Sequence, residues 1–400
     1  MTGGSRAARR RLLRTGLVAA AIAVGAGEVR AQSARARPTI PEARRATVER
    51  ILEAARDSSG VPSLAAAIVT RQGLWAIGAT GSRRADEQIP VTVDDLWHLG
   101  SDTKAMTAGL LGLLVDEGRL DWNATLAELF PELATTMRKQ YRTVTLREVL
   151  SQQSGLVANA GIAFRQPTPR AQRAAYVAWV LAQPPAAPRG RFSYSNANYV
   201  VAGAVAERLY DGTYETLLAE RLLAPLGVTT VGFGAAGTPG RTDQPWAHRV
   251  NAAGTRVPIP PGPRADNPPV LSPAGRAHMS MADWALWAQA VLRGAAGLPS
   301  PWSVATARTL VTPAVRVNSR QSYAFGWLTT HRSWAGRSGR VLTHAGSNGK
   351  NWAVAWLAPD AGFGVLVASN DGTEAASRAA DRVAVRLARF YRRSTAVRTR

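Results

Sequence analysis

Strand-forming runs lie at the two ends of this chain, and helical pattern fills the middle. Near the start, Leu64 to Thr70 and Leu74 to Ala79 flank Arg71-Gln72-Gly73, which is a hairpin signal. Near the end, Val341 to Gly346, Trp352 to Ala358 and Phe363 to Ser369 read as three further strands. Pro41 to Ser59 places Val48, Ile51, Leu52 and Ala55 on one helical face, and a last helix is predicted over about Glu374 to Tyr391. Strands this far apart most simply join in one antiparallel sheet, with the first and last helices packed on it. The segment between must leave the sheet and return. The expectation is therefore an α/β (α+β) fold: a sheet lobe from about 41–104 and 301–400, and a mostly helical inserted lobe over about 105–300. A cleft between the lobes is where a site would form. Within the insert, Val257 to Pro269 is the most proline-dense loop and reads as a mobile cover.

The first residues read as an address rather than as part of the fold. Arg9-Arg10-Arg11-Leu12-Leu13-Arg14 is a basic region of twin-arginine type, followed by the apolar segment Leu17 to Ala26 and by Val29-Arg30-Ala31. This predicts a signal peptide over 1–31 with cleavage before Gln32, a linker over 32–40 and one domain over 41–400. The expected location is periplasmic or secreted. No later apolar run approaches the roughly 18–20 residues of a membrane helix, so no stable span is expected once the signal is removed. The chain has no cysteine, which excludes disulfides, a thiol nucleophile, cysteine metal sites and a lipidated cysteine. The net charge of +22 includes six arginines and one glutamate in residues 1–31, leaving +17 on the remainder. That charge is scattered arginine without interleaved aromatics, so a nucleic-acid partner is not expected. No His-Glu-x-x-His or similar spacing occurs, and neither a metal nor another cofactor is expected.

Of the 49 basic residues only three are lysines, and one of them is Lys104 in Ser101-Asp102-Thr103-Lys104. The following Ala105 to Leu111 reads as a helix. If the helix begins near Ser101, residues three apart share a face and the amine lies beside the hydroxyl. A desolvated lysine can remove the serine proton, and a helix start offers free N–H groups to a developing oxyanion. An ordinary helix start with a serine cap has the same spelling. A second copy, Ser347-Asn348-Gly349-Lys350, is flanked by glycines in a strand–turn–strand region and lacks that geometry. Ala345-Gly346-Ser347-Asn348-Gly349 is one residue from a Gly-x-Ser-x-Gly elbow. That fold needs a histidine after the serine, and the last histidine is His344.

Taken in order, five stretches resemble the serine β-lactamase-like family, which includes class C β-lactamases, D-alanyl-D-alanine carboxypeptidases, D-aminopeptidases and related esterases. They are Gly60 to Val69, Leu96 to Lys104, Glu148 to Leu156, Phe192-Ser193-Tyr194-Ser195-Asn196 and His344-Ala345-Gly346. The resemblance implies Ser101 as nucleophile, with Lys104 and Tyr194 sharing the proton transfers; the phenol would exist as, or readily become, a phenolate. It implies that Asn196 steadies the lysine and meets the substrate carbonyl, and that the N–H groups of Ser101 and Ser347 form an oxyanion hole. Gly346 would let substrate backbone lie close to the strand. His344 stands where the family commonly has a lysine that binds carboxylates; it would donate to Tyr194 or to substrate, and carry charge only when protonated. That departure favours an esterase, amidase or peptidase over an efficient β-lactamase. Gln152, where many relatives carry histidine, suggests no catalytic role, and His98 reads as packing. The implied partner is a small-molecule or peptide substrate. The alternative on the same fold is a penicillin- or stem-peptide-binding protein that is acylated without turnover.

Overall fold

The continuous apolar run of the first strand is explained by burial on both faces. In the computed structural model, which describes Met1 and residues 39–396, Ala65, Ala67 and Val69 join one core while Leu64, Ala66 and Ile68 join another. The predicted signal segment and its cleavage point, with most of the 32–40 linker, lie outside the described residues. In chain order the strands are β1 Ser63–Thr70, β2 Gly73–Gly81, β3 Leu96–His98, β4 Gly232–Phe233, β5 Ala247–Val250, β6 Arg256–Ile259, β7 Ala277–Ser280, β8 Val315–Arg316, β9 Ser322–Tyr323, β10 Leu328–His331, β11 Arg340–Ser347, β12 Trp352–Ala358 and β13 Phe363–Ser369. Eight of them form one sheet in the order β2-β1-β13-β12-β11-β10-β9-β8, every neighbour antiparallel. The register Leu64↔Ser369 through Thr70↔Phe363 joins the two distant ends of the chain, as expected.

One face of this sheet is covered by the helices Glu42–Ser59 and Glu374–Ala396. The last helix buries Ala376, Ala379, Ala380, Val383, Ala384, Leu387 and Ala388, a three-and-four spacing of mostly small side chains that lets the helix lie close to the strands. The other face meets the helices Thr103–Asp116 and Met281–Ala295 and the inserted segment. Thr103–Asp116 is buried almost all round, as a helix without a polar face must be. The insert is not purely helical. It contributes β4 and β7, which pair with β3 from before the insert in the small sheet β3-β7-β4, and the pair β5-β6; these strands of two to four residues are too short for periodicity to reveal. The proline-dense segment read as a mobile cover contributes β6, and its later part packs inward, with Ala265 and Asp266 buried. No helix among the described residues is long and apolar enough to cross a membrane.

The insert is tied together by a buried ion triad. Arg173, with no exposed surface, donates to Glu207 Oε1 at 2.6 and 3.1 Å, to Glu215 at 2.8 and 2.9 Å, and to the Pro269 carbonyl at 3.2 Å. Glu207 is itself 3 % exposed, so removing the arginine strands a buried carboxylate. Arg173→Leu is expected to cost about 3–5 kcal/mol in urea unfolding, and adding Glu207→Gln should restore a good part of that loss. A single variant as stable as wild type would contradict this role.

Candidate active site

The turn that carries Ser101, the candidate nucleophile, is built by close backbone packing. Ser101 lies in the 3-10 turn Gly100–Asp102, one step ahead of the helix Thr103–Asp116. Gly100 has φ +50°, and a β-carbon there would come within 2.5 Å of the Ser347 nitrogen. A β-carbon on Gly346 would overlap the Leu99 carbonyl oxygen and stand 2.8 Å from the Ser101 nitrogen. The strand end Gly346-Ser347 is thus pressed against the turn, which sets the backbone nitrogens of Ser101 and Ser347 beside the same contact. Gly346 thus has a purpose beyond the one expected: its missing side chain admits the turn that carries Ser101. The Ser347 hydroxyl faces away into its own turn, accepting from Gly349 N at 2.9 Å.

Lys104 is fully buried, with Nζ 3.0 Å from Ser101 Oγ, 2.7 Å from Asn196 Oδ1 and 2.6 Å from the Ala274 carbonyl oxygen. The amide oxygen and the carbonyl can only accept. A neutral amine has two N–H groups for these two, and one lone pair for the Ser101 O–H. Burial lowers the Lys104 pKa to about 7, although neighbouring Asp102 pulls it upward. Asp102 is itself buried with neither carboxyl oxygen hydrogen-bonded, and desolvation drives its pKa well above the usual range while Lys104 opposes this. Both groups are thus pushed toward their neutral forms.

Tyr194 and Asn196 arrive through a helix start. Ser195 caps the helix Asn196–Tyr210, which leaves Tyr194 just outside and Asn196 on its first turn. Asn196 Nδ2 donates to Asn159 Oδ1 at 2.9 Å, so its oxygen faces Lys104. The Tyr194 ring lies 4.9 Å from Lys104 Nζ and 6.1 Å from the His344 ring. Tyr194 keeps 39 % of its surface open, yet crowding around it and the adjacent Tyr323 push its pKa well above that of a free phenol; the Ser101 hydroxyl acts against this. The resting group is a neutral phenol rather than the phenolate considered from sequence.

His344 also differs from expectation. It is buried, its Nδ1 lies 2.9 Å from the Ala345 carbonyl, and burial together with Lys104 lowers its pKa to about 3. A carbonyl only accepts, so the proton sits on Nδ1 and Nε2 carries a lone pair. His344 is a neutral acceptor facing the tyrosines, neither a cation nor a donor to substrate. Gln152, to which no catalytic role was assigned, holds the stretch that carries Tyr194 and Asn196: its Oε1 accepts from Ser195 N at 3.0 Å and Asn198 Nδ2 at 2.6 Å, and its carbonyl accepts from Ser193 N at 2.9 Å. It does so at φ +65°, a conformation that costs a non-glycine residue free energy. His98, read as packing, accepts from Gly100 N at 3.1 Å. Sequence reading missed the Ala274 carbonyl altogether, because a backbone acceptor leaves no motif.

The fold brings Ser101, Lys104, Asn196, Tyr194 and His344 together from β11 and two helix starts. Independent comparisons point the same way. A fungal relative, "Unguisins hydrolase ungD'" of Aspergillus campestris (strain IBT 28561), is 26% identical over 329 residues, covering 78% of this chain and 58% of its own length. "Penicillin-binding protein 4" of Amycolatopsis lactamdurans is 30% identical over 179 residues, 44% of this chain and 46% of that protein. The chain thus spans little more than half the length of the first of these relatives and less than half of the second. Among solved structures, an octameric penicillin-binding protein homologue from Pyrococcus abyssi superposes with TM-score 0.71 at 20% identity, covering 86% of this chain and 76% of that one. The D-alanine carboxypeptidase AmpC from Burkholderia cenocepacia gives TM-score 0.67 at 18% identity, covering 86% and 98%. These likenesses show the β-lactamase/transpeptidase-like fold. The family model described as Beta-lactamase matches residues 48–390, a stretch that takes in the whole eight-stranded sheet and all of Ser101, Lys104, Tyr194, Asn196 and His344, and the chain belongs to that family.

Proposed function

We propose that this protein is an exported serine hydrolase that works through an acyl-enzyme on an ester, amide or peptide. The observation that carries this reading is the buried Lys104 amine, whose three contacts suit a free base with its lone pair on the Ser101 hydroxyl. As Ser101 Oγ bonds to the substrate carbonyl carbon, its proton passes to Lys104 Nζ and the carbonyl electrons move onto oxygen. The N–H groups of Ser101 and Ser347 meet that oxyanion. Collapse breaks the bond to the leaving group, which takes the proton back through Lys104 and the Tyr194 hydroxyl. Water then repeats the sequence on the acyl-enzyme and frees Ser101.

The neutral His344 bears on substrate choice. It supplies no fixed positive charge for a carboxylate, so uncharged esters and amides should be better substrates than penicillins. Export to the periplasm or beyond rests on the arginine-rich and apolar start of the sequence. The purified protein, mixed with a chromogenic short-chain ester, should release chromophore steadily over many turnovers. A single stoichiometric burst would instead identify a protein that binds covalently without turnover. Absence of both release and a mass gain on the Ser101 peptide would refute the reading.

A further inference from the structure

A second buried cluster lies behind the nucleophile turn and uses none of the groups given a part in the chemistry above. Its centre is Asp266, whose side chain is 2 % exposed. Oδ1 is 2.8 Å from His98 Nε2, a contact off the line of an ideal hydrogen bond, and accepts from Asn348 Nδ2 at 2.9 Å. Oδ2 accepts from Arg276 Nε at 3.2 Å. His98 is held from its other side too. Gly100 N can only donate, and its bond to His98 Nδ1 at 3.1 Å leaves the ring proton on Nε2, facing Asp266. The ring is therefore fixed in tautomer and direction by the backbone of the nucleophile turn and by one carboxylate.

Each neighbour of Asp266 leads to a different component of the cleft. Through His98, the carboxylate reaches Gly100, the residue before Ser101. Through Asn348, it reaches the turn after Ser347; Asn348 Oδ1 also accepts from Lys350 N and Asn351 N at 3.1 and 2.9 Å and so sets that turn's shape. Through Arg276, which also donates to Ser272 Oγ at 3.3 Å, it reaches the short helix Ser272–Gly275. That helix carries the Ala274 carbonyl against Lys104 Nζ. Nucleophile, oxyanion donor and base acceptor come from three segments far apart in sequence. One buried carboxylate braces all three.

We infer that Asp266 is a positioning residue for acyl transfer, which fixes the nucleophile turn through His98 and the Ser347 turn through Asn348. This rests on the acyl-enzyme reading of the site. Asp266 touches no reacting atom, and its contribution is the relative placement of groups that do. Errors of about 1 Å in such placement cost on the order of 10²-fold in rate. Asn at this position keeps the shape and one acceptor, but turns an N–H₂ toward donors that cannot accept it. His98→Phe keeps a planar ring of similar bulk and removes both contacts.

The test compares ester hydrolysis by wild type, Asp266→Asn and His98→Phe, with hydrogen exchange of residues 97–104 followed by mass spectrometry on the same three proteins. In both variants kcat should fall about 10²-fold with KM changed less than about threefold, and exchange should quicken in the 97–104 stretch ahead of the rest of the chain. A kcat within about threefold of wild type in either variant overturns the positioning role. So does exchange that rises equally along the whole chain, which would make the cluster a general stabiliser. Should the wild type turn over no ester, the reading of the site fails, while the exchange comparison still decides whether Asp266 holds the turn.

Discussion

Ser101→Ala is expected to reduce ester turnover to background, a loss of about six decades, while leaving the fold intact. The size follows from what the substitution removes. Every step of acyl transfer passes through a covalent bond to Ser101 Oγ, and no other hydroxyl shares its place against the Lys104 amine at 3.0 Å. Stability should change by no more than about 1.5 kcal/mol. The hydroxyl meets Lys104 and Tyr194, and Lys104 keeps Asn196 Oδ1 and the Ala274 carbonyl as partners, so the buried amine is not orphaned. The measurement is initial rate with a chromogenic ester, paired with intact mass after brief exposure to substrate. Wild type should gain the acyl mass on the peptide carrying residue 101, and the variant should gain none. Turnover that survives in a folded Ser101→Ala protein, or a label found on another residue, would remove Ser101 from the mechanism.

How much of this could be seen in the sequence depended on whether a function is carried by a side chain in a motif or by backbone brought from elsewhere. β1, β12 and β13 were legible because each is a mostly apolar run of seven or eight residues, and their pairing followed from their places at the two chain ends. The strands β3, β4 and β7 were invisible, since stretches of two to four residues show no period, yet β3 and β7 position Leu99, two residues ahead of Ser101, through the Ala277 carbonyl. Ser101 and Lys104 could be named because a helix start fixes their spacing locally, whereas Tyr194 and Asn196 were named through the family resemblance of the Tyr194-Ser195-Asn196 stretch. His344 could be named too, but its charge could not, because that depends on how completely the second lobe covers it. The purposes of Gly346, Gln152 and His98 depend on which backbone lies opposite them. Pairings of that kind arise only when β11 meets the nucleophile turn and when residue 266 folds in behind it.

The pH profile should report Lys104 directly. The free amine is the competent base, so kcat/KM for a neutral ester should climb as pH rises through about 7 and then level off. Below that value the ammonium holds the proton that Ser101 must give up. The sign follows from burial: desolvation outweighs the pull of Asp102, so the amine loses its proton more readily than an exposed lysine would. Tyr194 stays protonated across this range because its own pKa is shifted upward, and it adds no second limb near neutrality. Lys104→Ala should cost about two to four decades in kcat/KM and abolish the rise near pH 7. Lys104→Arg should not restore it, because a guanidinium remains protonated and has no lone pair to offer the hydroxyl. Asp102→Asn gives a graded control. Asp102 raises the Lys104 pKa only to the extent that it is ionised, and burial drives it toward the neutral acid. The substitution should therefore leave the climb near pH 7 or move it to lower pH, never upward, with the plateau within about tenfold. A limb that stays near 7 in Lys104→Ala would show that some other group takes the Ser101 proton, and the role of the buried amine would have to be withdrawn.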